Sequence, residues 1–132
     1  MSPENKKSLT KHIVELARFI HENGMDLKPY PKVVLSEDND PDDILDKTGH
    51  YSPDDNTVTL YCNGRHPKDV LRTAAHEFIH TSQDRRGDLD PDKLGESSSY
   101  SEGSDHLKKM EIEAYAKGNT MMRRYTESLQ SK

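Results

Sequence analysis

The stretch His76-Glu77-Phe78-Ile79-His80 decides the interpretation of the whole chain, because it sets two histidines four positions apart with a glutamate beside the first. Four residues advance an α-helix by about 400° and about 6 Å, so both imidazoles leave one face, a turn apart. Two ring nitrogens placed in this way can bind one metal ion, and the neighbouring carboxylate can contact a water on that ion. The pattern predicts His76 and His80 as zinc ligands and Glu77 as a general base.

The segment around this motif, residues 67–84, is predicted to be a helix. Pro67 suits a first turn, Asp69 complements the positive end of the helix dipole, and Gly87 lies past the end. On a helical wheel the two histidines point almost opposite an apolar arc of about 180°. This position favours a cleft over the alternative of a helix with two solvated histidines. The arc consists of Val70, Leu71, Ala74, Ala75, Phe78 and Ile79.

The composition indicates one small intracellular domain. The chain has 132 residues, of which 30% are hydrophobic and 33% charged, so its core is thin and a bound metal would help to hold it together. A net charge of -5 without a basic cluster argues against nucleic acid as a partner. No apolar stretch approaches the roughly 20 residues that span a bilayer, and the N-terminus lacks an apolar signal core. We therefore expect no membrane contact and a cytoplasmic location. Cys62, the only cysteine, is expected to be inert packing.

The remaining patterns predict a small α+β fold in a single domain over residues 1–132, with a short mixed or antiparallel sheet. Residues 87–104 are rich in Ser, Gly and Asp and are expected to form a flexible loop, which is either a mobile flap beside the cleft or a simple insertion. The predicted elements are helices at 8–23, 67–84 and 105–129, a strand at 32–35 and a hairpin over 47–61.

A zinc ion held by two histidines needs a third protein ligand and an open position for water. On the wheel of the last helix, Glu111 falls inside the apolar stripe, about 40° from Leu107 and Tyr125, whereas Glu113 and His106 lie more than 90° off that stripe. A carboxylate on the packed side of a helix is costly unless it is paired or bound to a metal. Glu111 is therefore the predicted third ligand, and the alternative is an ion pair with Arg or Lys at a cleft edge.

Together these motifs resemble the gluzincin metallopeptidases. The H-E-x-x-H is followed by a helix with E-x-E-A at residues 111–114, and the chain is most similar to minimal single-domain members such as those of phages and small microbial proteins. The resemblance spans roughly residues 47–125 and implies a zincin-like fold, with Glu111 as the third zinc ligand. It also implies an edge strand before the active-site helix that pairs with an extended substrate, and residues 57–61 match that strand by order.

One departure from the family pattern concerns the support of the histidines. The residue four positions past the third ligand is usually an acid or an amide, whereas here it is Tyr115. Asp84, Asp105 or Tyr115 itself could hold the histidine rings instead. His106, Tyr100 and Tyr115 are candidates for stabilising the developing oxyanion.

The motif and the resemblance lead to one expected function and one alternative. The expected function is zinc-dependent hydrolysis of peptide bonds, in which Glu77 activates a water on a single Zn²⁺ held by His76, His80 and Glu111. The alternative is a nonenzymatic, zinc-stabilised module that binds a peptide or protein. The expected partner is a peptide or protein substrate, and its sequence and the oligomeric state stay open.

Overall fold

The structure is a computed structural model that describes residues 1–43, 45–89 and 100–130, with only the backbone for residues 100–104. Helices and strands in these parts confirm the predicted α+β class, with a small mixed sheet. The elements are α1 (Pro3–Glu22), β1 (Lys32–Ser36), β2 (Gly49–Ser52), β3 (Thr57–Tyr61), α2 (Pro67–Arg85) and α3 (Tyr100–Gln130).

The strand β3 lies in the centre of the sheet, in the order β1-β3-β2. It pairs with β1 in parallel, with Val33 opposite Val58, and with β2 in antiparallel fashion, with Tyr51 opposite the same Val58. The expectation that residues 57–61 form the edge strand is therefore wrong, because order along the chain does not reveal order in the sheet. Among the described strands, β2 is the edge strand beside α2.

The helix α1 begins at Pro3, earlier than the predicted start at residue 8. The side chain of Ser2 caps it by accepting a hydrogen bond from the backbone N–H of Asn5 at 3.2 Å, and Pro3 fits the first turn. The helix ends before Gly24, whose φ of 98° suits a residue without Cβ. The apolar periodicity located the body of the helix, and the cap sets where it begins.

The core lies between the buried faces of the three helices and the sheet. The predicted orientation of α2 is confirmed, since the side chains of its apolar arc are all buried, and Phe78 is among the largest of them. Cys62 also lies in this core, with no exposed surface, and its thiol donates to the carbonyl oxygen of Ser36 at 3.5 Å. The buried residues of α1 are Leu9, Ile13, Leu16, Ala17 and Ile20.

The helix α3 begins at Tyr100, so the prediction of a loop as far as residue 104 is wrong for its last five residues. Gly103 and the nearby serines have low helix propensity, yet extending an existing helix adds one hydrogen bond per residue and outweighs a cost of about 1 kcal/mol for glycine. Residues 90–99, the middle of the expected loop over 87–104, lie outside the described residues, so the choice between a flap and a simple insertion stays open. In the described parts of the chain, no helix is both long and apolar enough to cross a membrane.

The strand β2 approaches α2 closely at Gly49. A Cβ atom at this position would lie 2.7 Å from Cγ2 of Thr73 and 3.0 Å from the carbonyl oxygen of Thr59. Thr73 is held on its other side, because its hydroxyl accepts a hydrogen bond from Arg65 at 2.8 Å. Glycine therefore lets the edge strand lie against the helix that carries the histidines.

We expect Gly49→Ala to lower the free energy of unfolding by about 1–3 kcal/mol, because the added methyl group must displace Thr73 or the strand. Thr73→Ser removes Cγ2 but keeps the hydroxyl that accepts from Arg65, so the double variant should recover most of this loss. Urea unfolding of both single variants and the double variant measures the coupling. If the double variant lost the sum of the two single losses in the free energy of unfolding, the contact between position 49 and Thr73 would be contradicted.

Candidate metal centre

His76 and His80 of α2 meet Glu111 of α3 across the interface between the two helices. Nε2 of His80 lies 3.1 Å from Oε1 of Glu111, and Nε2 of His76 lies 3.6 Å from Oε2. The three ligand atoms lie within 4.8 Å of one another. Bond lengths of about 2.0–2.2 Å would set the ligands of a tetrahedral zinc ion roughly 3.4 Å apart. These residues therefore form a group that could hold a metal ion.

The close approach of α3 to α2 explains why these side chains can meet. A Cβ atom at Gly118 would lie 3.2 Å from the backbone nitrogen of His76 and 3.3 Å from its Cα atom, which is tighter than ordinary contact. Ala114, one turn earlier in α3, is also small and is fully buried. Glu111 lies about two turns before Gly118 on the same face of the helix, so it reaches the histidine rings.

Glu111 lies at the border of the buried face of α3. Its side chain is 44% exposed, whereas Met110 and Ala114 beside it are buried. Leu107, which the helical wheel put in the apolar stripe, is 48% exposed and lines the cleft. The stripe is therefore partly core and partly cleft wall, and the third donor sits where the two meet.

The two histidines are supported unequally. Nδ1 of His80 lies 2.8 Å from the amide oxygen of Gln83. That oxygen can only accept, so Nδ1 carries a proton, and Nε2, which faces Glu111, is the nitrogen that can bind a metal ion. Nδ1 of His76 is buried and has no hydrogen-bond partner among the described residues. The ring of Tyr115 lies against the His76 ring in a tilted arrangement, with centroids 4.3 Å apart and planes inclined by 51°.

The residue that supports His80 was missed in the sequence, where Asp84, Asp105 and Tyr115 were considered. Asp84 instead accepts a hydrogen bond from the hydroxyl of Tyr51 at 2.6 Å, and Asp105 is exposed. Gln83 follows His80 by three positions on the same helix, a spacing at which side chains are neighbours. That spacing was the signal that could have identified it.

Of the two candidates for oxyanion stabilisation whose side chains are described, Tyr115 lies beside the donor His76, whereas His106 forms a hydrogen bond elsewhere. His106 donates from Nε2 to the backbone carbonyl of Asp88 at 2.8 Å, so this nitrogen is turned to the end of α2. Tyr115 lines the cleft through the ring that covers His76. The side chain of Tyr100 lies outside the described residues.

Burial shifts the pKa of two side chains at the site. The pKa of His76 is lowered, first by burial and then by the nearby His80, against the opposing effect of Glu111. Its imidazole is therefore held in the neutral form that binds metal ions. The pKa of Glu77 is raised to about 7, mainly by burial and also by Glu111, against the lowering effects of His80 and of a hydrogen bond from the backbone of Tyr51. Glu77 is thus a buried carboxyl group that can exchange a proton near neutral pH.

The donors open onto a cleft of about 750 Å³ between β2, α2 and α3. The N–H of Tyr61 donates to the carbonyl of Thr48, so Thr48 is a residue that bonds to β3. Along an antiparallel strand, residues that bond to the partner alternate with residues whose N–H and C=O point away from it. The backbone groups of Gly49 and Tyr51 therefore point away from β3. The N–H of Tyr51 is taken by Glu77. The edge strand therefore lines the cleft with the backbone groups of Gly49 and the carbonyl group of Tyr51.

Comparisons with protein-family models, with curated proteins and with solved structures find no match to this chain.

We expect Glu111→Gln to weaken binding of a divalent ion by more than about 10-fold, because the neutral amide is a poorer ligand than the carboxylate. The wild-type protein should take up one ion per chain. Competition with a chromophoric chelator measures the affinity. Glu127→Gln, at the far end of the same helix, makes the same change of charge and serves as the control. Equal affinity in both variants would remove Glu111 from the site.

Gly118→Val should separate α3 from α2 beside His76. We expect a loss of about 1–3 kcal/mol in the free energy of unfolding, together with weaker metal binding, because the added groups meet the backbone of α2. Ala116→Val adds similar bulk on the exposed side of α3 and should cost less than about 1 kcal/mol. Unfolding curves and metal titrations compare the two variants, and equal effects would contradict the role of the close contact.

Proposed function

We propose that this protein is a zinc-dependent peptidase of the gluzincin type. The observation that carries this proposal is that a group of three metal-ligand donors and a buried carboxyl group share one open cleft. The resemblance of the H-E-x-x-H and E-x-E-A motifs to that family supports the same function. The departure at Tyr115 alters how a histidine is held and leaves the three donors unchanged.

The donor set fits zinc. Two imidazole nitrogens and one carboxylate are a common protein ligand set for catalytic zinc, and they leave a coordination position open. The lowered pKa of His76 favours its neutral ring, and the proton on Nδ1 of His80 leaves Nε2 as the nitrogen that can donate a lone pair to a metal ion. A zinc ion bound here would act as a Lewis acid and lower the pKa of a bound water to about 7.

Glu77 carries the proton transfers in this proposal. Its carboxylate accepts a proton from the attacking water as the new C–O bond forms at the scissile carbonyl carbon. It then delivers that proton to the leaving nitrogen as the C–N bond breaks. A pKa of about 7 suits both steps, and the hydrogen bond from the backbone of Tyr51 holds the carboxyl group beside the cleft.

An extended peptide is the substrate that this cleft fits best. The edge strand β2 forms one wall, and the outward N–H and C=O of Gly49 can pair with the backbone of a peptide lying alongside. Such pairing reads the backbone of the substrate more than its side chains. We therefore propose a peptidase that recognises extended or unfolded segments.

The proposal is tested by Glu77→Gln. The variant should bind zinc with wild-type affinity, because Glu77 is no ligand, and should lose about 10²–10⁴-fold in the rate of cleavage of an unstructured peptide mixture. Cleavage is followed by mass spectrometry, and metal content by atomic emission. Glu22→Gln, on α1, is the matched control. Undiminished cleavage by Glu77→Gln would refute the assignment of the base.

A nonenzymatic, zinc-stabilised binding module is the competing function, and it is favoured by Nδ1 of His76, which has no hydrogen-bond partner among the described residues. The two functions differ in their response to Glu77→Gln and to chelation. A binding module would hold peptide equally well with either residue at position 77 and would unfold when a chelator removes zinc. A peptidase loses cleavage under both treatments.

A further inference from the structure

Gln83 is a polar side chain with no exposed surface, and it lies between the two helices that carry the donors. Its amide oxygen accepts from Nδ1 of His80 at 2.8 Å. Its amide nitrogen donates to the backbone carbonyl of Met110 at 2.8 Å and to Oε1 of Glu113 at 3.0 Å. The buried amide of Gln83 thus forms hydrogen bonds to residues of both α2 and α3.

The orientation of this amide is determined by its surroundings. The carbonyl of Met110 and the carboxylate of Glu113 only accept hydrogen bonds, so both require the amide NH₂ group on their side. Glu113 is itself held by Arg86, at 2.6 and 3.2 Å, and by Lys117 at 2.9 Å. Rotating the amide would set two acceptors against its oxygen, so the oxygen stays on His80.

This fixed oxygen has a consequence for His80. Because it can only accept, it keeps a proton on Nδ1, which leaves Nε2, 3.1 Å from Glu111, as the nitrogen that can bind a metal ion. The other tautomer would bring a proton to the position where a metal ion must bind. In the described structure, Nδ1 of His76 has no comparable partner. Of these two histidines, therefore, His80 is the one whose tautomer is set by a hydrogen bond.

The bond to Met110 has a consequence for Glu111, the next residue along α3. It fixes the backbone of α3 one position before the third donor, on the side that faces α2. A shift of α3 along α2 would break this bond and move the Glu111 carboxylate away from both rings. The same amide therefore acts on the donors of both helices.

We propose that Gln83 is the positioning residue of the metal centre, with one buried amide that sets the tautomer of His80 and the position of Glu111 together. The inference rests on the proposed function only through the bound ion and does not require peptide hydrolysis. A purely structural clamp between the helices is the competing interpretation. It would stabilise the fold and leave the His80 tautomer unaffected.

The test compares Gln83→Met with wild type, since methionine fills a similar volume and lacks both amide groups. In the metal-free proteins, long-range ¹⁵N–¹H NMR of the histidine rings should show a proton on Nδ1 of His80 in wild type and its loss from Nδ1 in the variant, where the Glu111 carboxylate beside Nε2 is the remaining acceptor. Chelator competition should show zinc affinity falling by about 10- to 100-fold. The absorption spectrum of bound Co²⁺ should change, because the geometry of its ligands changes.

Ile13→Val is the control for lost stability, because it trims a buried side chain on α1 and touches none of the donors. It should lower the melting temperature and keep the wild-type tautomer and zinc affinity. A Gln83→Met protein with the wild-type tautomer and affinity would overturn the proposal. So would a loss of zinc affinity that follows the loss of stability equally in both variants.

Gln83→Glu provides a second variant should Gln83→Met fail to fold. It keeps an acceptor for His80 but has no donor for Met110 and sets a second carboxylate against Glu113. We expect the Nδ1–H tautomer to persist while zinc affinity still falls, which separates the two effects of the amide. Wild-type affinity in this variant would overturn the part of the proposal that concerns Glu111.

The proposed peptidase activity and the proposed role of Gln83 can fail separately. A wild-type protein that binds zinc but cleaves no peptide would contradict the proposed peptidase activity and leave the role of Gln83 intact.

Discussion

The close packing of α3 on α2 is the constraint on which the rest of the structure depends. Two backbones come together where Gly118 lies against His76, and this approach brings a carboxylate from one helix to two imidazoles on the other. A larger side chain at this contact would press the backbones of α2 and α3 apart and so change the spacing of the donors. The spacing of the donors therefore depends on a glycine, whose lack of a side chain lets the two helices come close.

The helix α2 serves the fold and the site with opposite faces. Phe78 and Ile79 fill the core, while His76 and His80, on the other side, face α3 and the cleft. Glu77 lies between these faces, buried enough for its pKa to rise to about 7 and still within the cleft wall. Such a helix can change little on either face, because the same backbone fixes the packing and the geometry of the donors.

Much of this arrangement was predictable from local patterns. The apolar periodicity and Pro67 placed α2 within about one residue of its observed end. The H-E-x-x-H motif selected the two histidines, and the helical wheel of α3 selected Glu111, which the structure brings together with them. The central position of β3 was not predictable, because pairing in a sheet joins segments that are distant in sequence. The same holds for Gln83, whose role depends on the distance between two helices. The start of α1 was missed although the cap at Ser2 was visible in the sequence.

The single thiol of the chain also has a practical consequence. Cys62 has no exposed surface and lies in the core, away from the cleft. A modifying reagent can reach its sulfur only when the surrounding strands and helices open, so the rate of thiol labelling reports the opening free energy of this region. The molecule therefore carries its own probe of conformational fluctuation, and it needs no engineered label.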